Sequence, residues 1–112
     1  MANGNLQGHL ELLVLAILAD APRHGYAVIE ELRRRSDGAF DLPEGTVYPA
    51  LHRLEKAGEI ASEWGVVGGR RRKTYQLGPV GRRALVGRRA HWNAFAGAVS
   101  RTIGESPWPN PA

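Results

Sequence analysis

Two adjacent glycines, Gly68-Gly69, constrain this chain more than any other feature. A glycine pair between extended runs marks a two-residue reversal, because the turns that suit a hairpin's twist need positive φ. The flanking runs are Glu59–Val67 and Arg71–Leu77, so the reversal pairs them antiparallel. Directly after the glycines stand four cations, Arg70-Arg71-Arg72-Lys73, which give the hairpin a basic tip. In the first run Ile60, Trp64 and Val66 share a parity and hence a face; in the second, Tyr75 and Leu77 do. Trp64 is read as a packed strand aromatic rather than a stacking surface.

The stretch just upstream, Leu42–Gly58, reads as a helix. Pro43 suits a first helical position, where a missing N–H costs nothing. Gly58 suits the residue just past the end. Val47, Leu51 and Leu54 form one narrow apolar stripe. Gly45, Tyr48, Pro49, His52 and Lys56 fall on other sides. Alone, such a helix reads as a solvated surface element. Followed at once by a hairpin with a basic tip, it gives the plan of a winged helix-turn-helix, with the helix in the major groove and the tip on the phosphates. Pro49 breaks a local rule, since it removes one backbone bond and crowds the carbonyl of Gly45, whose lack of a side chain eases the strain.

These residues carry a family resemblance. Gly45-Thr46-Val47-Tyr48-Pro49-Ala50-Leu51-His52-Arg53-Leu54-Glu55-Lys56-Ala57-Gly58, then Arg72-Lys73-Thr74-Tyr75-Gln76-Leu77, resembles the PadR family of bacterial transcriptional regulators. His24-Gly25-Tyr26 is also similar to that family's pattern, and the resemblance covers roughly residues 6–103. It is closest to the short-tailed members with a single C-terminal helix. The family also shows proline at the place of Pro49.

The rest of the chain fits this frame. Leu6–Asp20 reads as a first helix, with Leu6, Leu10, Leu13 and Ile17 in one stripe. From Leu12 to Ala19 it is apolar nearly all round, so it needs cover on more than one side. Another subunit is the expected cover, and the C-terminal helix of the same chain is the plainer alternative. His24-Gly25-Tyr26 opens a second helix to about Ser36, with Tyr26, Val28, Ile29 and Leu32 toward the core. Arg33-Arg34-Arg35 suits the negative end of that helix better than DNA contact. Asp37-Gly38 ends it, and Phe40 and Leu42 pack under the next helix. The last helix begins at Gly78-Pro79, where the family usually has a hydroxyl cap and acidic residues, and runs to about Ile103. Leu85, Trp92 and Val99 recur at sevens, and Phe95, Ala96 and Ile103 extend that face, a period suited to helix association. Glu105–Ala112, with three prolines and Trp108, reads as an extended tail. The expected organisation is mainly α with a small β-hairpin: residues 1–78 a winged helix-turn-helix domain, 79–104 a C-terminal dimerisation helix, and 105–112 a flexible tail.

Composition excludes several classes. At 112 residues the chain is one domain, and its net charge of +4 suits a polyanionic partner. It has no cysteine, which rules out disulfides, thiolate metal sites and cysteine nucleophiles. His9, His24, His52 and His91 show no close ligand spacing, and Gly69…Lys73-Thr74 lacks the spacing of a phosphate-binding loop. An enzyme is not expected, and neither is a cofactor. No stretch approaches a membrane span, and no signal pattern opens the chain, so a cytoplasmic protein is expected.

The function expected is a homodimeric repressor on a palindromic DNA operator, with half-sites about one turn, ~34 Å, apart. Candidate groove contacts are Thr46, Tyr48, His52 and Arg53, with Thr46 meeting either a phosphate or a base edge. The resemblance implies that Tyr48 donates to a phosphate. Arg70, Arg71, Arg72 and Lys73 are the candidate wing contacts. Leu6, Leu10, Leu13, Ile17, Leu85, Trp92, Ala96, Val99 and Ile103 are the candidate dimer interface. The family includes regulators released by aromatic or drug-like effectors, and by resemblance Trp92 and Phe95 line such a site; burial in the dimer seam is the plainer reading of both. The alternative function is a winged-helix protein-interaction module, whose mark would be a neutral or acidic wing.

Overall fold

The computed structural model describes residues 8–104. Leu6 and the tail 105–112, including Trp108, lie outside them. In chain order the elements are α1 (Leu10–Asp20), β1 (Arg23–His24), α2 (Gly25–Arg35), α3 (Glu44–Lys56), β2 (Ile60–Val67), β3 (Arg70–Leu77) and α4 (Pro79–Ile103). The fold is the mainly helical winged helix expected, with one strand, β1, that the sequence reading did not foresee.

Helix α1 forms the centre. Leu10, Val14, Leu15, Ile17 and Leu18 are all buried. Elements α2, α3, β3 and α4 all pack against it, while Leu12, Leu13, Ala16 and Ala19 stay half-buried. The helix begins at Leu10 rather than Leu6, after a turn at Gly8-His9.

Helix α2 turns Val28 and Leu32 into the same core. Tyr26, expected there too, is 53% exposed. It stands at the second residue of the helix, where the chain opens onto a cleft, and Val28 takes the core position instead. The basic end of α2 is satisfied by acids of its own surroundings. Arg34 and Arg35 bind Glu31, and Arg35 also reaches Asp20. The two guanidiniums hold the Glu31 carboxyl down at about 2. Asp37 (φ 52°) and Gly38 (φ 86°) end the helix, and the Gly38 N–H donates to the Arg33 carbonyl at 2.8 Å.

Helix α3 buries Val47, Ala50, Leu51 and Leu54. Pro43 proves to be the cap rather than the first helical residue: its ψ is 165° and its carbonyl accepts from the Thr46 and Val47 amides. The far end closes as a Schellman motif. The Glu59 N–H donates to the Leu54 carbonyl at 2.9 Å and the Gly58 N–H to Glu55 at 3.0 Å, with Gly58 at φ 77°. Pro49 sits inside an unbroken helix. Leu42 is buried beneath it and Phe40 is half-buried against the same core.

The three strands form one antiparallel sheet in the order β1-β3-β2. Gly68 (φ 59°) and Gly69 (φ 78°) make the tight turn that the sequence required. The register places Ile60 opposite Leu77, Ser62 opposite Tyr75, Trp64 opposite Lys73 and Val66 opposite Arg71. Only the base of this ribbon reaches the core, through Ile60 and Tyr75 with Leu77 beside them. Trp64, expected to be packed, is instead 57% exposed. It lies beyond the last pairing with β1, which joins β3 only at Thr74 and Tyr75, so no third strand or helix covers it.

Helix α4 starts hard against the loop after α3. A Cβ at Gly81 would sit 2.0 Å from the Glu59 carbonyl oxygen. That contact accounts for the glycine at position 81; at the cap itself, Gly78, a Cβ would meet Glu59 only at 3.9 Å, and nothing in the structure explains the missing polar cap. Past Leu85 no residue of α4 is buried, and the protein extends 59 Å along its long axis. No helix among the described residues is long and apolar enough to cross a membrane.

Candidate nucleic-acid interface

The outer face of α3 is what its inner face leaves over. With Val47, Ala50, Leu51 and Leu54 turned in, Tyr48, Pro49, His52, Arg53 and Lys56 are exposed and Thr46 is half-buried near the helix start. Of the four groove candidates, Tyr48, His52 and Arg53 are thus exposed on α3 and Thr46 is half-buried at its start.

Tyr48 is fixed by α2. Its ring lies against Gly25, where an added Cβ would stand 2.5 Å from a ring carbon. This is the physical need behind the glycine of His24-Gly25-Tyr26. Burial, then the Glu44 carboxylate, push the Tyr48 phenol above its ordinary value, so it stays protonated and able to donate.

Arg53 is half exposed, and its Nε donates to Glu11 Oε2 at 2.9 Å. The other Glu11 oxygen lies 3.6 Å from Arg88 of α4, and Arg88 reaches Glu59 at 3.7 Å. Arg53 thus ties α3 to α1 and, through Glu11, to α4.

The four wing cations have unequal surroundings. Arg70 and Arg71 are exposed, and the Arg71 guanidinium stands 4.7 Å above the Trp64 ring. Arg72 is half-buried with Nη1 at 2.5 Å from His24 Nε2. Lys73 is half-buried with Nζ 3.5 Å from Glu55 Oε1 and 5.5 Å above the Tyr75 ring. Glu55 in turn accepts from the Ser62 hydroxyl, which with Lys73 holds its carboxyl below the usual range.

Wing and helices enclose a cleft of about 680 Å³ whose walls include Tyr26, Tyr48, His52, Trp64 and all four wing cations. Helix face and basic wing thus share one surface. Three residues there escaped the sequence reading of contacts: His24, Tyr26 and Trp64. Strand parity put Trp64 on the face of Ile60, and the register joins that face to Tyr75. The missing signal was that β1 stops short of it.

The effector and dimer candidates lie elsewhere. Trp92 is 38% and Phe95 54% exposed, with ring centroids 5.9 Å apart. His9 meets Trp92 edge-on at 4.9 Å, beside a cleft of about 300 Å³ that Arg88 and His91 also line. Of the interface candidates, Leu10, Ile17 and Leu85 are buried within the chain, Leu13 and Ala96 are half-buried, and Val99 and Ile103 are exposed. Among the described residues no group of three or more His, Asp or Glu side chains is placed to hold a metal ion.

A helix pair whose second member faces outward beside a basic β-hairpin defines a winged-helix DNA-binding fold. A family model for the PadR-like family of transcriptional regulators matches residues 14–86, and the chain belongs to that family. It is similar to the transcriptional regulator Rv3488 of Mycobacterium tuberculosis, with 42% identity over 76 residues that span 68% of each chain. Among solved structures it is similar to a transcriptional regulator from Clostridium thermocellum, with a TM-score of 0.81, 26% identity, and coverage of 88% of this chain and 96% of that one. A PadR family regulator from Eggerthella lenta gives a TM-score of 0.76 at 33% identity, covering 91% and 88%.

Proposed function

We propose that this transcriptional regulator is a homodimeric repressor that reads a palindromic operator with α3 in the major groove and the wing on the flanking phosphates. The observation that carries the reading is the shared surface: the polar face of α3 and the cations of the wing border one cleft. Thr46, Tyr48, His52 and Arg53 serve the groove side, and residues 70–73 form the basic wing. In this reading residues up to 78 are the DNA-binding unit. The projecting half of α4, with Phe95, Val99 and Ile103 exposed, is the pairing helix. A basic wing also favours DNA over a protein partner.

A mobility-shift titration against the DNA upstream of the protein's own gene, at two salt concentrations, tests it. Tight, sequence-selective, salt-dependent binding is expected. Equal, weak binding to every duplex would overturn the operator reading. The effector reading rests on the adjoining rings of Trp92 and Phe95. Trp92→Leu is expected to abolish release by an aromatic ligand while the dimer persists; loss of the dimer instead would assign both rings to the seam.

A further inference from the structure

The wing carries four consecutive cations, and two of them are already engaged by the protein. Arg72 Nη1 lies 2.5 Å from His24 Nε2, and Nδ1 of the same ring lies 3.3 Å from the Ala27 amide at the start of α2, a neutral ring accepting from one of these two donors at a time. Lys73 meets Glu55 in the last turn of α3, and the second oxygen of Glu55 takes the Ser62 hydroxyl of β2. The wing is therefore fastened at its base to both helices of the helix-turn-helix. Strand alternation makes this possible: Arg72 falls on the side of Thr74, which pairs with His24, and Lys73 falls on the side of Tyr75 and Trp64. Arg70 and Arg71 lie nearer the turn than either fastening. They are exposed, and Arg71 is held over the indole of Trp64 at 4.7 Å.

We propose that the wing cations divide into two pairs: Arg70 and Arg71 neutralise DNA phosphates, with Trp64 holding Arg71 in place, whereas Arg72 and Lys73 are positioning residues that brace the wing against α2 and α3. This rests on the operator reading above and deepens it. The physical argument is counterion release. A cation gains affinity and salt dependence by displacing ions condensed on DNA; Lys73, which keeps the Glu55 carboxylate as its partner, contributes little to that exchange, and Arg72 is half-buried with its guanidinium at His24 rather than free at the tip.

The test is the slope of log affinity against log salt for the full chain and its variants on the operator. Arg70→Gln and Arg71→Gln are each expected to lower the slope by ~0.9. Arg72→Gln and Lys73→Gln are expected to weaken binding several-fold with the slope unchanged. Glu55→Gln separates the two roles by sign, because it keeps the Ser62 bond and removes only the charge that holds Lys73. Bracing predicts weaker binding, whereas a phosphate-contacting Lys73 would be freed, tightening binding and steepening the slope. A slope loss near ~0.9 in the Arg72 or Lys73 variant, or tighter binding by Glu55→Gln, would overturn the division. Hydrogen exchange of the β2 and β3 amides supplies a DNA-free arm: faster exchange is expected in Glu55→Gln and Arg72→Gln and not in Arg70→Gln, and unchanged exchange overturns the brace. Failure of the wild-type chain to bind any duplex would overturn the operator reading and the phosphate half together, leaving exchange to decide the brace.

Discussion

Gly25 and Tyr48 show how a single missing side chain can place an aromatic ring. The Tyr48 ring occupies the volume that a Cβ on Gly25 would need. Gly25→Ala must push the ring off α2 or shift the helix, and overpacking of this kind costs roughly 1–3 kcal/mol. Urea denaturation is expected to show that loss, and DNA affinity to fall with it. His24 is the second residue with more than one duty. Its ring faces two donors, the Ala27 N–H and the Arg72 guanidinium; the neutral ring accepts from one of them and a protonated ring from neither. Burial, then the charge of Arg72, lower its pKa below the ordinary 6.5, against a smaller opposite pull from Glu30. The unfolded chain therefore takes up its proton before the folded one does. Stability from this residue is complete above about 6.5 and is lost as pH falls from there through the lower folded value. Denaturation midpoints measured between neutral and mildly acid pH should decline, and His24→Asn, which can still cap α2, should flatten that decline.

At the scale of elements, α3 carries two faces with different tasks. Its inner stripe holds it to α1, and Leu51 is fully buried there. Leu51→Ala is expected to cost about 2–5 kcal/mol in chemical denaturation, as for other fully buried leucines. Its outer face contributes little to folding, which leaves Thr46, His52 and Lys56 available for contact. The wing has a similar division along its length. Its base is packed and its tip is solvated, so the side chains opposite one another change character from Ile60 and Leu77 to Val66 and Arg71 within one face. A ribbon of two strands has no neighbour to hold it beyond the third strand, and the side-chain fastenings at Arg72 and Lys73 stand just past the point where pairing with β1 ends.

For the whole molecule, the feature of most consequence is the length of α4. Its first turns close the core through Leu85, and its remainder stands clear with Phe95, Val99 and Ile103 exposed. Apolar side chains in that position gain nothing from the chain's own fold. Val99→Glu with Ile103→Glu is expected to yield a folded monomer by analytical ultracentrifugation, with an unchanged denaturation profile at low concentration and weaker operator binding. A dimer that survives both charges would place the pairing surface elsewhere. The Arg53–Glu11–Arg88–Glu59 series joins α3, α1 and α4, so one set of charges links the helix before the wing and the projecting helix.

Local chemistry determined much of this protein from its sequence. Gly68-Gly69 forced the hairpin, Gly58 and Pro79 set helix limits, and the stripe of Val47, Leu51 and Leu54 fixed which side of α3 faces in. Each of these depends on φ, ring constraint or periodicity, which neighbouring residues alone decide. The exposure of Tyr26 and Trp64 was not legible, because strand and helix parity tell which residues share a side but not where the covering layer ends. The cover over α1 likewise came from α2, α3, β3 and α4, elements distant in sequence. So did the pairing of Arg72 with His24 and of Lys73 with Glu55. Four cations in a row acquire different partners only when the fold brings a histidine from the edge strand β1 and a carboxylate from α3 to opposite faces of the same strand.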